Sequence, residues 1–100
     1  MRTALITSRA CLAHLTPSGH PESPARLAAV LDALAAPEFA DLIRLEAPEA
    51  SLEAIARVHT EAHIRHIERG VLMAGEGVVH LDPDTALSAG SWQAALRAAG

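Results

Sequence analysis

The 100-residue chain contains no lysine and no tyrosine, and only one phenylalanine, one tryptophan and one cysteine. Each shortage excludes something. With Cys11 alone, no internal disulfide can form, which fits a reducing compartment. No catalytic signature surrounds that thiol, so it reads as a small apolar group rather than a nucleophile. Without lysine, all positive charge comes from eight arginines scattered along the chain, and the net charge is −4. A nucleic-acid surface needs clustered basic residues, so that class of partner is excluded. Long apolar runs are missing too. Ala4-Leu5-Ile6 is interrupted by Thr7, Ser8 and Arg9, too short for a signal-peptide core or a membrane span. The expected location is cytoplasmic, with an organellar transit peptide as the lesser reading of this acid-free start. No Gly-rich phosphate loop and no Gly-x-Ser-x-Gly elbow occurs.

Half the residues are hydrophobic, and Ala and Leu supply most of them. Such residues lose little on entering a helix, so the composition favours helices but offers few large groups to fill a core. The length allows one small domain at most, with a thin stability margin.

Thr3 to Thr7 is apolar and partly β-branched, and reads as a buried first strand. Ser8 to Pro24 is rich in Pro, Gly, Ser and His and reads as a long loop; loops of that length are usually functional or disordered. Ala25 to Ala35 is the clearest helix, because Leu27, Val30, Leu31 and Leu34 form one apolar stripe. Pro24 suits its first turn and Pro37 stops it. Leu42 to Leu45 is a candidate second strand. Ser51 caps a short helix over Leu52–Val58, and Thr60 caps another over Glu61–Arg69. Gly70 and Gly75-Glu76-Gly77 end the latter, Val78-Val79 is a brief extended segment, and Asp82-Pro83-Asp84-Thr85 is a turn. Ser88 or Gly90 opens a last helix with Trp92, Ala95, Leu96 and Ala99 on one stripe. That helix is expected to need a partner, which suggests a truncated domain.

Six histidines are a surplus for this length. His59, His63 and His66 fall at i, i+4 and i+7, a spacing that could offer zinc a shared helix face. No Glu follows His59 in the metalloprotease arrangement, and the Thr60 cap places His59 outside the helix. Packing or surface histidines are the plainer reading. Asp82 and Asp84 fall short of a calcium loop and suit a turn. His20-Pro21-Glu22 lies in the long loop just before the best helix.

Three stretches carry a family resemblance. His14 followed by Thr16 to Leu27 (TPSGHPESPARL) resembles a GHPE-P-RL segment. Val58 to Ile64 (VHTEAHI) resembles a second motif, and Leu81 to Thr85 with Ser88 to Trp92, Ala94, Ala95 and Gly100 resembles a third. Together they are similar to the histone deacetylase and acetylpolyamine amidohydrolase superfamily, in its bacterial, class II-like branch. The resemblance implies an α/β fold: residues 1–100 as the N-terminal portion of a three-layer α/β/α arginase-deacetylase-type domain. It also implies a parent enzyme hydrolysing N-acetyl amides of lysine or polyamines, with zinc activating water and polarising the carbonyl. The family's catalytic and zinc-binding residues follow the last segment seen here, so the resemblance implies no catalytic residue and no metal ligand in this chain. It implies a substrate-binding rim instead. His20 and Pro21 belong to the first active-site loop, Arg26 matches an Arg near the pocket base, and Asp84 matches a position that hydrogen-bonds substrate backbone. Ser23 and Ala25 depart from the charged residues common in relatives.

The competing readings are a non-catalytic binding module derived from that fold and, less strongly, a small zinc protein using His59, His63 and His66. A fragment should be poorly folded alone, and a module should unfold cooperatively. Oligomeric state is not legible.

Overall fold

The computed structural model describes all 100 residues. In chain order it contains β1 (Ala4–Thr7), a 3-10 helix (Arg9–Ala13), α1 (Pro24–Ala33), a 3-10 helix (Pro37–Phe39) and β2 (Ile43–Glu46). Then follow α2 (Leu52–Ala56), α3 (Glu61–Ala74), β3 (Val79–Asp82), β4 (Thr85–Leu87) and α4 (Ser91–Ala99).

Strands β1 and β2 pair in parallel, Ala4 with Ile43 through Thr7 with Glu46. A parallel pair needs a crossover, and α1 supplies it. The ladder continues at both ends, where Ile43 N–H donates to Thr3 C=O at 3.0 Å and Ala47 N–H to Thr7 C=O at 2.8 Å. Strands β3 and β4 form an antiparallel hairpin with an irregularity between His80 and Asp82. Its turn is built by Asp82, whose carboxylate accepts the Asp84 N–H at 2.8 Å, the way Asp side chains fix turns. That bond, followed by one with the Thr85 side chain, holds the Asp82 carboxyl below the ordinary carboxylate value.

The caps fall where short polar side chains can satisfy first-turn N–H groups. Ser51 Oγ accepts from Ala54 N–H at 3.1 Å and Thr60 Oγ1 from His63 N–H at 3.1 Å. Several elements differ from expectation. Helix α3 runs through Gly70 to Ala74. Gly70 is buried against Leu87, and a Cβ there would lie 2.8 Å from Leu87 Cδ1. Its smallness admits the hairpin, and the stop falls instead at Gly75, with φ +56°. The loop after β1 is partly ordered as a 3-10 helix with Ser8 as its cap. Strand β1 is not buried: Ile6 is exposed, as is Leu45 beside it in β2, because only two strands are present and their faces are uncovered. On α4 the buried face is Ser91 and Ala94, while Ala95 and Ala99 are exposed. Small residues let the 3-10 helix come close; Cys11 Sγ lies 3.7 Å from the Ala94 carbonyl.

Val71, Ala86, Leu87 and Ala94 make a thin buried core where α3, the hairpin and α4 meet, and Ala47 is buried separately at the end of β2. The far end of α4 is tied to the segment after β2. There Ala50 N–H donates to Leu96 C=O at 2.9 Å and Arg97 Nη1 to Ala47 C=O at 2.8 Å. The molecule is a slab of 43 × 34 × 19 Å with a radius of gyration of 15.2 Å, above the ~13 Å of a compact 100-residue domain. It is an α/β arrangement and an incomplete one. The parallel pair is open at its edges, and Val58, Leu72 and Met73 stand out from the surface.

Candidate functional site

Two polar clusters fasten the loop between β1 and α1 to the far end of the sequence. The inner one centres on Ser88 and Ser91, both buried. Ser88 Oγ accepts the Leu15 N–H at 2.8 Å and donates to Ala13 C=O at 3.2 Å. Ser91 Oγ accepts the Ser88 N–H at 2.7 Å and lies 2.6 Å from His14 Nδ1. The assignment that satisfies every group has the Ser91 hydroxyl donating to Nδ1 and the ring hydrogen on Nε2. That nitrogen faces Glu22 Oε1 at 3.3 Å. No buried side-chain polar atom is left unpaired, as expected where polar groups leave water.

The outer cluster is formed by His20 and Asp84. The loop reaches it through a tight turn. His20 N–H donates to Pro17 C=O at 3.0 Å, and Gly19 takes φ +80°, the positive value a type II turn demands at its third position. Pro21 follows with its ring-fixed φ. The Thr16 hydroxyl donates to Glu22 C=O and closes the loop on itself. Glu22 N–H donates back to His20 Nδ1 at 3.0 Å. The other ring nitrogen, Nε2, lies 2.9 Å from Asp84 Oδ1. The His20 side chain is 20% exposed and that of Asp84 is 92% exposed, so the pair stands at the surface with the carboxylate outermost. Thr16, His80 and Pro83 line the small cleft around it.

Arg26 sits elsewhere. It is exposed on α1 and lines an open, mainly apolar groove of about 710 Å³ between α1 and α4, shared with Cys11, His14, Leu27, Val30 and Ala94. The structure therefore joins His20 and Asp84 across the loop and the hairpin turn, leaves Pro21 exposed beside His20 in the chain, and puts Arg26 in the separate groove along α1. His14 and Ser91, which with Ser88 fasten that loop, had no role assigned from sequence, and Ser88 entered only as a candidate helix start, a place the structure gives to Gly90. The signal was present as two serines three apart, one ahead of α4 and one at its first position, the spacing at which a side chain reaches back to a backbone N–H.

His59, His63 and His66 do not converge. The His59 and His63 rings lie 5.1 Å apart, all three are exposed, and no set of three His, Cys, Asp or Glu side chains is placed to hold a metal ion. The donors in residues 1–100 do not fit a zinc site.

The model of the histone deacetylase domain matches residues 20–100, four-fifths of the chain. The chain belongs to the histone deacetylase domain family. The matched span opens at His20 and includes Asp84, so both partners of that bonded pair lie within it. The fold of this segment is also similar to the crystal structure of the HDA15 HD domain, with a TM-score of 0.85 at 24% identity. That likeness covers 99% of this chain and 29% of the other, so the chain spans less than a third of the solved domain it resembles. No curated protein matches it significantly.

Proposed function

We propose that residues 1–100 form the N-terminal part of a zinc-dependent deacetylase domain that hydrolyses an N-acetyl amide, on a lysine side chain or on a polyamine. In this reading the segment supplies the rim of the active site and none of its catalytic groups or zinc ligands. His20, Pro21 and Asp84 meet the substrate end, Arg26 forms part of the adjoining wall, and the cytoplasm is the place of action. The observation that carries the reading is the bond between His20 and Asp84. It joins residues 64 apart within the family-matched span and leaves a carboxylate facing outward. An exposed carboxylate has lone pairs enough to accept two N–H donors, which suits it to fix the register of an incoming chain.

The test is to express the complete reading frame that encodes this segment and to assay an acetyl-lysine peptide and an N-acetylpolyamine, with and without a zinc chelator. Chelator-sensitive acetate release by that protein, and none by residues 1–100 alone, is expected. Acetate release by the 100-residue chain itself, or its absence from the complete protein, overturns the proposal.

A further inference from the structure

We propose that His20 is a positioning residue: it holds the Asp84 carboxylate in one orientation, and this favours substrates that present directed backbone N–H groups over those that present a bare ammonium. The inference rests on the rim reading above and adds to it a residue that acts through another and a substrate preference.

An aspartate side chain that is 92% exposed would ordinarily sample several rotamers in water. Asp84 is held from two directions. Its backbone is set by the hairpin, through the bond from its N–H to the Asp82 carboxylate. One carboxylate oxygen, Oδ1, is engaged by His20 Nε2 at 2.9 Å. The ring is itself immobilised. Its Nδ1 accepts the Glu22 N–H at 3.0 Å, its backbone N–H is anchored to Pro17, and Pro21 stiffens the link between them. With Nδ1 occupied as an acceptor, a neutral imidazole carries its hydrogen on Nε2. That is the tautomer that donates to Asp84. Every polar atom of the ring is assigned, and the carboxylate, 92% exposed, is bonded through Oδ1, which leaves Oδ2 available as an acceptor.

A fixed acceptor discriminates by geometry. An amide N–H is a weak, directional donor and gains most when the acceptor already points at it. An ammonium group is a compact point charge with three rotatable donors. It is attracted to the carboxylate wherever the oxygens point. Losing His20 should therefore penalise an acetyl-lysine peptide, which offers main-chain N–H groups at the rim, and hardly touch an acetylpolyamine, which offers ammonium groups. Losing Asp84 should penalise both.

The experiment is steady-state kinetics of the complete enzyme and its His20→Ala, His20→Gln and Asp84→Ala variants on both substrates. His20→Ala is expected to raise KM for the peptide about tenfold, with kcat within about twofold and polyamine KM within about twofold, the pattern of lost uniform binding. His20→Gln, which retains an N–H donor at similar reach, should recover most of the peptide KM. The double variant with Asp84→Ala should be no worse on peptide than Asp84→Ala alone. Two results overturn the inference while leaving the functional reading standing: an unchanged peptide KM in His20→Ala, or an equal rise on both substrates. Wild-type enzyme that releases acetate from neither substrate overturns both together. Nitrogen-15 shifts of the His20 ring give a check independent of turnover and of whether the alanine variant folds. They should report hydrogen on Nε2 in the wild-type chain, and a ring hydrogen on Nδ1 refutes the positioning geometry.

Discussion

Replacing Ser88 with alanine tests the fastening of the loop between β1 and α1 most directly. Ser88 is 2% exposed, and its hydroxyl serves two backbone groups of the loop, accepting from Leu15 and donating to Ala13. Alanine fits the space but leaves the Leu15 N–H and the Ala13 C=O without their partner on the buried side. Each abandoned backbone group costs roughly 1–3 kcal/mol when buried. Both are only part-buried here, so the lower end applies to each and the sum is about 2 kcal/mol. The serine's own N–H keeps its bond to Ser91, so that contact does not add to the loss. The readout is amide hydrogen exchange at Leu15, where about 2 kcal/mol appears as a roughly thirtyfold loss of protection. Ala89→Ser, on an exposed neighbour, is the control and should change nothing. The serines share partners, so Ser88→Ala and Ser91→Ala should combine non-additively. Protection at Leu15 reduced less than threefold by Ser88→Ala would show that the loop is held by something other than this hydroxyl.

Gly90→Ala is expected to destabilise by roughly 1–3 kcal/mol as an overpacking change. A Cβ there would fall 2.3 Å from Ala13 C=O, and an unchanged urea midpoint would contradict the close approach. Acidification should loosen the hairpin turn. The Asp82 carboxyl is held below its ordinary value by the Asp84 N–H and then the Thr85 side chain, so its contribution is whole above the unfolded value near 4. It is lost as pH falls through the lower folded value. The Asp84 amide resonance should shift with a midpoint below about 4, and a midpoint above that reverses the sign. Asp84→Ala in the complete enzyme should weaken catalysis with zinc content intact, since no ligand set lies in this segment; wild-type kinetics in that variant refutes the rim assignment. Added zinc should leave the melting of the 100-residue chain unchanged, and a rise reversed by chelator would revive the three-histidine site.

Much of the secondary structure was legible because local chemistry decides it. Ser51 and Thr60 cap the helices their side chains can reach, Pro24 opens α1, and Asp82 makes its turn through its own backbone. What stayed hidden depends on distant partners. Gly70 reads as a helix stop from its propensity, yet tertiary contact with Leu87 makes it a packing position in mid-helix. Strand β1 reads as buried from its composition, yet Ile6 is exposed because burial is a property of neighbouring strands. The small face of α4 was overlooked in favour of its large apolar residues, since close approach to the 3-10 helix rewards Ser91 and Ala94 over bulk. His20, Pro21 and Asp84 entered through family resemblance. Their residue types alone suggested a loop and a turn, and the bond across 64 residues between two of them could not be read from either neighbourhood.

The serine and histidine fastening also sets an order of events as the chain is made. Its bonds join residues 73 to 77 apart, so the loop after β1 can find its place only once Ser88 and Ser91 exist. At about 5–20 residues per second on the ribosome, the rim loop waits several seconds after its own synthesis. During that interval the segment bearing His20 is tethered only by local contacts, and its backbone is open to other nascent chains. A pause in translation placed between the two halves of this segment would lengthen that exposure, and one placed after Ser91 would not.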